Sequence, residues 1–386
     1  MTGERHDITI LGGGPAGAAA ACALALGGRA PLVVERDPGP RHKVCGEFLS
    51  VEAQGCLDGL GIDPRALGGA PIGRVRLIHG ARVAEAPLPF EGLGLTRRAL
   101  DEALLARAGR LGATLLRGEQ VRAVAPEGDG LAVALSGGRV VRTRAAFLAT
   151  GKHDLRGFRR PASGGDALIG FKTYHRLTPT QAERLRGAVE IVLFDGGYLG
   201  LQEVEGGQAN LCLLVTRERF ERAGRTWGGL LAHLREECPV LDDRLRGAVP
   251  LLERPLATAG SPYGFVHRAG PDDPAGLYRL GDQAGVIHPF AGDGISIALY
   301  TGRLAAEAYL AGEGAARFHA AARESLRGQI RLSSLLYGIG RTRLGRRLLA
   351  EAGRWSPGAL RLAAAWTRVP DAALRRIGVA PALAAP

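Results

Sequence analysis

Apolar residues along the chain fall into two patterns, and the switches between them outline its elements. Asp7-Ile-Thr-Ile-Leu11 is short and mostly apolar, as a strand covered on both faces is. Gly12-Gly-Gly-Pro-Ala-Gly17 then leads into an Ala-rich stretch that reads as a helix ending near Gly27-Gly28. Pro31-Leu-Val-Val-Glu35 is a second buried strand, closed by an acid. Thr96-Arg97-Arg98-Ala-Leu-Asp101 opens another helix, with apolar positions Leu100, Leu104 and Leu105. Short strands are predicted at 113–116, 120–124, 131–135 and 139–144, with turns at Gly128-Asp129-Gly130 and Gly137-Gly138, together forming a small antiparallel insertion. A separate apolar strand, 146–151, then rejoins a parallel sheet.

From about Ala167 to Pro255 apolar and polar residues alternate over longer runs. Strands are predicted at 169–177, 188–194, 198–204 and 208–215, with a turn at Gly206-Gly207 and an interrupting helix from about Thr226 to Glu237. This reads as a second, mostly antiparallel domain. Leu277-Tyr-Arg-Leu-Gly-Asp282 is again an apolar strand running into a Gly-rich segment, and a helix follows from Ile295 to about Leu310. Beyond Arg317 the pattern is helical, with Leu332, Leu335, Leu336 and Ile339 at helical spacing and Arg341, Arg343, Arg346 and Arg347 after them.

Composition adds less. The 386 residues suffice for two or three domains, and 46% hydrophobic with 23% charged residues excludes a disordered, fibrous or membrane-embedded chain. The net charge of +12 is carried almost wholly by Arg, because only Lys43, Lys152 and Lys172 are lysines. It reads first as a solvated arginine surface, and second as attraction to an anionic cosubstrate, membrane or nucleic acid. Aromatic residues are few (5%) and no nucleic-acid module is visible, so no nucleic-acid partner is expected. Five widely spaced cysteines without a C-x-x-C pair suit reduced thiols in a cytoplasm, and no metal site is expected. Ala16–Leu26 follows an acidic start and a Gly cluster, unlike a signal peptide, and no apolar run reaches the roughly 20 residues of a membrane helix.

The first 35 residues carry the strongest chemistry. Strand, Gly-rich turn, helix and a second strand ending in an acid make a dinucleotide-binding unit. Gly12 permits the tight turn, Gly14 lets backbone approach a pyrophosphate, and Gly17 lets helix and strand pack closely; the helix N-terminus offers free N–H groups. Glu35 is placed to accept from a ribose hydroxyl pair.

Gly12-Gly-Gly-Pro-Ala-Gly17 with Glu35, the distal Gly281-Asp282 with Pro289-x-x-Gly292-x-Gly294, and the antiparallel stretch between them resemble the flavoprotein superfamily of geranylgeranyl reductase and p-hydroxybenzoate hydroxylase over about residues 5–330. The resemblance implies an α/β fold: a Rossmann-like, three-layer ββα FAD-binding domain with an inserted, mostly antiparallel β substrate-binding domain. It assigns 1–75, 95–160 and 275–325 to the first and 76–94 and 161–274 to the second, leaving 326–386 as a helical C-terminal region. It implies FAD as cofactor, held by Gly12, Gly13, Gly14, Pro15, Ala16, Gly17, Glu35, Arg36, Arg41, Cys45, Gly46, Arg97, Val121, Thr150, Gly151, Gly281, Asp282, Pro289, Gly292, Gly294 and Ile295. Glu35 would bind the adenosine ribose, Arg97 would lie near the cofactor, Asp282 would accept from ribitol hydroxyls, and Gly292–Ile295 would aim N–H groups at the flavin edge that gains charge on reduction. NAD(P)H is the expected electron donor.

The catalytic candidates are Cys45, Tyr198 and His288. Arg41-His-Lys-Val-Cys-Gly-Glu-Phe-Leu-Ser50 is similar to the Cys-Gly segment of geranylgeranyl reductases, which lies beside the isoalloxazine. There Cys45 either tunes the flavin or donates a proton, with Lys43 as a neighbouring cation, or it simply packs. His288 sits between two cofactor-like Gly turns, whereas His153, His175 and His267 read as surface or core residues. Three departures from the family stand out. The hydroxylase Asp-Gly motif is Thr150-Gly151, the halogenase W-x-W-x-I-P signature is absent, and the Y-x-W-x-F-P segment of geranylgeranyl reductases is reduced to Tyr198-Leu-Gly-Leu-Gln-Glu-Val204. The expected function is that of an FAD monooxygenase hydroxylating an apolar or aromatic metabolite of secondary metabolism. The alternatives are an ene-reductase of the geranylgeranyl reductase type and, more remotely, a basic binding protein that retains FAD. Residues 327–354 read either as a packed helix with a solvated face or as a peripheral membrane contact.

Overall fold

A computed structural model describes residues 5–161, 168–271 and 273–380. Residues 1–4, 162–167, 272 and 381–386, at the margins of the segments assigned above, lie outside the described residues, as do the side chains of Arg354, Pro357 and Ala359. Two sheets organise the chain. The first has the strand order Thr114–Arg117, Leu32–Glu35, Arg5–Leu11, Val140–Leu148, Gly130–Leu135, Val121–Glu127, and Leu277–Arg279 also pairs with Val140–Leu148. Its first four strands and Leu277–Arg279 run parallel, and the remaining two form an antiparallel meander. Helices Pro15–Leu26, Arg97–Arg110 and Gly294–Leu310 cover one face through a core that includes Ala18, Leu24, Leu104, Phe147 and Tyr300. The meander encloses a smaller core around Leu11, Val133 and Leu148 on the other, giving the three-layer ββα arrangement.

The sequence pattern split Val140–Leu148 into two strands, at 139–144 and 146–151, and the structure corrects this to one. The burial pattern explains the error: its first half alternates exposed and buried, and its last four residues are all buried. Along one edge residues 142–148 pair with Arg5–Leu11, while the other edge is shared by Gly130–Leu135 and then Leu277–Arg279. Two environments on one strand give two hydropathy patterns. Likewise Thr114–Arg117 is not part of the antiparallel insertion but the parallel edge of the main sheet, in register with Leu32–Glu35.

The second sheet contains Leu168–Arg176, Gln208–Thr216, Gly197–Val204 and Gly187–Phe194 as an antiparallel set, with Thr216 and Thr226 capping short helices beside it. Gly187–Phe194 then pairs in parallel with Ala70–His79, which is followed by Arg82–Gly94 and Phe48–Leu49. The long hairpin 70–94 escaped the sequence reading because its strands mix apolar residues with Arg74, Arg76, Arg82 and Glu85. Helices Ala315–Arg341, Arg343–Trp355, Pro357–Trp366 and Asp371–Arg376 complete the chain. None of the five cysteines is disulfide-bonded. Among the described residues no helix is long and apolar enough to cross a membrane.

Candidate functional site

The first strand ends at Gly12, whose φ of +116° turns the chain and whose N–H donates to Val34 O at 2.9 Å. A Cβ on Gly12 would lie 2.5 Å from Ala149 O, and one on Gly17 would lie 1.9 Å from Gly12 O, so packing alone demands glycine at both positions. The helix that follows has Pro15 in its first turn and no side-chain N-cap, leaving its positive end for a ligand. Glu35 is buried, and its carboxylate accepts from the N–H groups of Gly13 (2.6 Å) and Asp37 (2.9 Å). A carboxylate has about four acceptor sites, so this one braces the turn and can still accept more.

A cavity of 660 Å³ opens in front of this turn, within the range of cofactor and substrate pockets. It brings together nearly all the residues singled out above: Gly12, Gly14, Pro15, Ala16, Glu35, Arg36, Arg41, Cys45, Gly46, Arg97, Val121, Thr150, Gly151, Tyr198, Gly281, Asp282, Pro289, Gly292, Gly294 and Ile295 line it. Gly13 and Gly17 lie behind the turn, and His288 is outside the lining. A Cβ on Gly46, Gly151 or Gly294 would have no neighbour within 4 Å, so at these lining positions only open space stands where a side chain would be. The Asp282 carboxylate is half-buried at the cavity and has no hydrogen-bond partner among the described residues; only its backbone carbonyl is engaged, accepting from Arg160 Nη1 at 2.8 Å.

The cations near the turn are already paired. Burial would raise the Asp37 carboxyl, but Arg41 at 3.0 Å, Lys43 at 3.6 Å and Arg36 at 3.9 Å hold it below its usual range. Arg97 makes a two-pronged pair with Asp101 at 2.6 and 2.8 Å, which keeps it cationic despite its burial. Thr150, standing where hydroxylases have aspartate, donates to His153 O at 2.6 Å.

Several residues that organise the site gave no signal in the sequence. Glu47 is fully buried with φ +61°, a backbone region costly for glutamate. It is held there by an ion pair with the fully buried Lys172, by the Tyr174 hydroxyl at 2.9 Å and by the Arg97 N–H at 2.7 Å, while its carbonyl accepts from Gln202 Nε2 at 2.9 Å. This strained turn presents Cys45 and Gly46 to the cavity, and the Glu47 N–H donates to Cys45 Sγ at 3.4 Å. His42 Nδ1 lies 3.0 Å from the Tyr174 hydroxyl. Burial raises the Glu47 carboxyl against the pull of Lys172, and burial followed by Lys172 lowers the His42 imidazole. A second group ties three loops together: Arg160 bonds Asp154 and the carbonyls of Lys152 and Asp282, Gln283 bonds Gly151 O at 2.8 Å, and Lys152 bonds Val44 O at 2.8 Å. Partners 108 to 132 residues apart leave no periodic trace.

The remaining wall is aromatic. Tyr198 meets Phe290 edge-on at 5.8 Å, and His288 stacks between Tyr337 (4.2 Å) and Tyr263 (5.3 Å). The Tyr198 hydroxyl and His288 Nδ1 are buried without a partner of hydrogen-bonding geometry. Burial lowers His288 to about 4, so it is neutral at pH 7, and burial raises the Tyr198 phenol well above its usual value.

No family model matches the chain. It is 29% identical over 338 residues to a menaquinone reductase of Mycolicibacterium smegmatis, covering 80% of this chain and 77% of that protein. It is 29% identical to digeranylgeranylglycerophospholipid reductase 2 of Methanopyrus kandleri (78% and 76% covered) and 28% identical to the ubiquinone hydroxylase UbiL of Rhodospirillum rubrum (80% and 73%). Among solved structures, the flavin-dependent brominase Bmp2 superposes with a TM-score of 0.76 at 19% identity, covering 98% of this chain and 94% of that one. The protein is an FAD-dependent oxidoreductase, similar in sequence to these reductases and this hydroxylase. The oxidoreductase has a site that fits its cofactor: side chains are missing where a ligand must approach backbone, and the unengaged Asp282 carboxylate is a ready acceptor for hydroxyl groups.

Proposed function

We propose that this oxidoreductase is a monooxygenase that hydroxylates a lipophilic aromatic metabolite, with NAD(P)H as electron donor. The observation that carries the reading is the wall of Tyr198, Phe290, Tyr263 and Tyr337 on the cavity that also holds the Gly12–Gly17 turn and Cys45-Gly46. Aromatic side chains at edge-on and stacked spacings suit a flat apolar ring. We assign the first sheet and its Gly-rich turns to the cofactor and the second sheet to the substrate. In this assignment Glu35 meets the adenosine ribose, Asp282 the ribitol, and the turns at Gly14 and Gly292–Ile295 the pyrophosphate and the flavin ring. Bound FAD supplies a two-electron carrier that reacts with oxygen or passes hydride.

The chain's own contributions are positioning and exclusion of water. Glu47 and Lys172 hold the Cys45-Gly46 turn, and Tyr198 lends its ring to the apolar wall. In hydroxylation one atom of O₂ enters a C–H bond and the other leaves as water, with two electrons and two protons supplied through the cofactor. A second reading, reduction of a carbon–carbon double bond, is favoured by the Cys45 thiol at the cavity, a proton source in the right place. The reductase names of two of these relatives point the same way.

The test is a single turnover of chemically reduced, FAD-loaded protein with a long-chain alkylphenol under ¹⁸O₂. Product heavier by one ¹⁸O atom supports hydroxylation. Product without ¹⁸O, together with anaerobic gain of two hydrogens in the prenyl chain, and not only in the ring, of an isoprenoid quinone, overturns it in favour of double-bond reduction.

A further inference from the structure

The helices that close the cavity carry an outer face that nothing in the fold covers. Seven large apolar side chains are exposed between residues 335 and 366: Leu335 (61%), Ile339 (38%), Leu344 (68%), Leu348 (56%), Trp355 (83%), Leu362 (44%) and Trp366 (64%). Only Leu26, Val83, Val140 and Val249 are comparably exposed elsewhere among the described residues, and they are scattered. At 100° per residue, Leu344, Leu348 and Trp355 fall within about 40° of one another on helix Arg343–Trp355, and Leu335 and Ile339 share a face of the preceding helix. Scattered apolar residues need no explanation, but seven on three successive, adjoining helices do.

Charge selects the partner. Between Arg327 and Arg368 the chain has nine arginines and one carboxylate, Glu351, which pairs with Arg82 at 3.0 Å. Arg327 and Arg331 precede Leu335 at four-residue spacing, and Arg343 and Arg347 flank the stripe of Leu344, Leu348 and Trp355. These four guanidinium groups are exposed and have no carboxylate partner among the described residues. Leucine and tryptophan beside a basic flank, on a helix too short and too charged to span, is the composition of a helix lying in a membrane interface. The inner faces of the same helices belong to the site: Leu336, Tyr337 and Leu349 line the cavity, and Arg368 bonds Ala291 O next to the Gly292 turn.

We propose that the helices spanning 327–366 dock this oxidoreductase on an anionic bilayer surface, apolar stripe in the acyl boundary and arginines at the headgroups, so that the cavity draws its substrate from the membrane. The purpose rests on the lipophilic substrate proposed above, but the docking surface is read from exposure and charge alone. A vesicle assay uses no substrate, so an error in the reaction type leaves it intact.

The experiment is co-sedimentation of FAD-loaded full-length protein with vesicles of phosphatidylcholine, alone or with about a third phosphatidylglycerol, with tryptophan emission read in parallel. Sedimentation with the anionic vesicles, a blue shift of emission and release by salt are expected. Arg343→Gln/Arg347→Gln lowers the partition coefficient about 30-fold, and Leu344→Glu/Leu348→Glu lowers it at least tenfold. Leu26→Glu, an equally exposed leucine on another face, leaves it unchanged. Flavin content and unfolding midpoint should match the wild type in all three, since none of these side chains lines the cavity. The proposal is overturned by absence of sedimentation, by sedimentation indifferent to both double variants, by preference for duplex DNA over vesicles, or by a wild-type dimer that Leu344→Glu/Leu348→Glu dissociates.

Discussion

Replacing Lys172 with methionine keeps the length of the side chain and removes the charge that faces Glu47 inside the protein, where both side chains are fully buried. Breaking a buried pair from one side typically costs about 3–5 kcal/mol, because the remaining charge is left uncompensated. Here Glu47 keeps two donors, the Tyr174 hydroxyl and the Arg97 N–H, which favours the lower end. There is also a ceiling, because the orphaned carboxylate can take up a proton. From an unfolded value of 4.5, protonation at pH 7.5 costs about 4 kcal/mol and at pH 5.5 about 1.4 kcal/mol, at about 1.36 kcal/mol per pH unit. A carboxyl whose folded value lies above its unfolded one favours the folded state at low pH and loses that advantage as pH rises. The deficit of Lys172→Met is therefore at most about 4 kcal/mol at pH 7.5 and falls to at most about 1.4 kcal/mol at pH 5.5, because the raised Glu47 carboxyl of the wild type already carries part of the same penalty. Urea unfolding followed by circular dichroism at a fixed excess of FAD measures it, and Glu47→Gln/Lys172→Met should recover much of the loss at pH 7.5. A deficit equal at both pH values, or a midpoint unchanged at pH 7.5, would refute the assignment of Lys172 as the countercharge that holds the Cys45-Gly46 turn.

Asp282→Asn should weaken FAD binding about 10- to 150-fold in a flavin fluorescence titration, the range for a lost hydrogen bond to a charged group; unchanged affinity would remove Asp282 from the cofactor site. Gly46→Ala should unfold like the wild type, since its methyl meets no protein atom within 4 Å, yet bind FAD at least tenfold more weakly because it protrudes into the cavity. Gly17→Ala should instead fail to yield folded flavoprotein, because its methyl would sit 1.9 Å from Gly12 O. Asp293 is fully buried, and burial, offset in part by Arg368, raises its carboxyl from 3.8 to about 7. Wild-type stability is thus penalised increasingly from pH 4 to pH 7, so Asp293→Asn should gain on it over that window and be the more stable at pH 8 in thermal unfolding.

The Gly-rich turn of the first sheet was legible because its determinants are local. Gly12 to Gly17, the strand before them and Glu35 after them lie within one short stretch, and each glycine answers a contact made by its own neighbourhood or by a strand ending beside it. Thr96 and Thr226, read as helix starts, do accept the capping hydrogen bonds expected of them. What failed was reading at the points where a strand changes neighbours, as in Val140–Leu148, and where partners come from distant segments, as in Glu47 with Lys172 or Arg160 with Asp282. Residues 327–354 read first as a packed helix with a solvated face and only second as a membrane contact, since a wheel of leucines and arginines cannot say which side meets protein.

By itself, then, the sequence determined the Gly-rich turn between the first strand and helix, most strands of the two sheets and the amphipathic C-terminal helices, since close backbone approach and hydropathy period are written residue by residue. The tertiary structure alone decided that Lys172, from the second sheet, neutralises a strained glutamate beneath Cys45, and that the apolar stripe of the last helices faces outward. Burial of a charge and exposure of a leucine depend on what folds against them, and no neighbour in the chain records it.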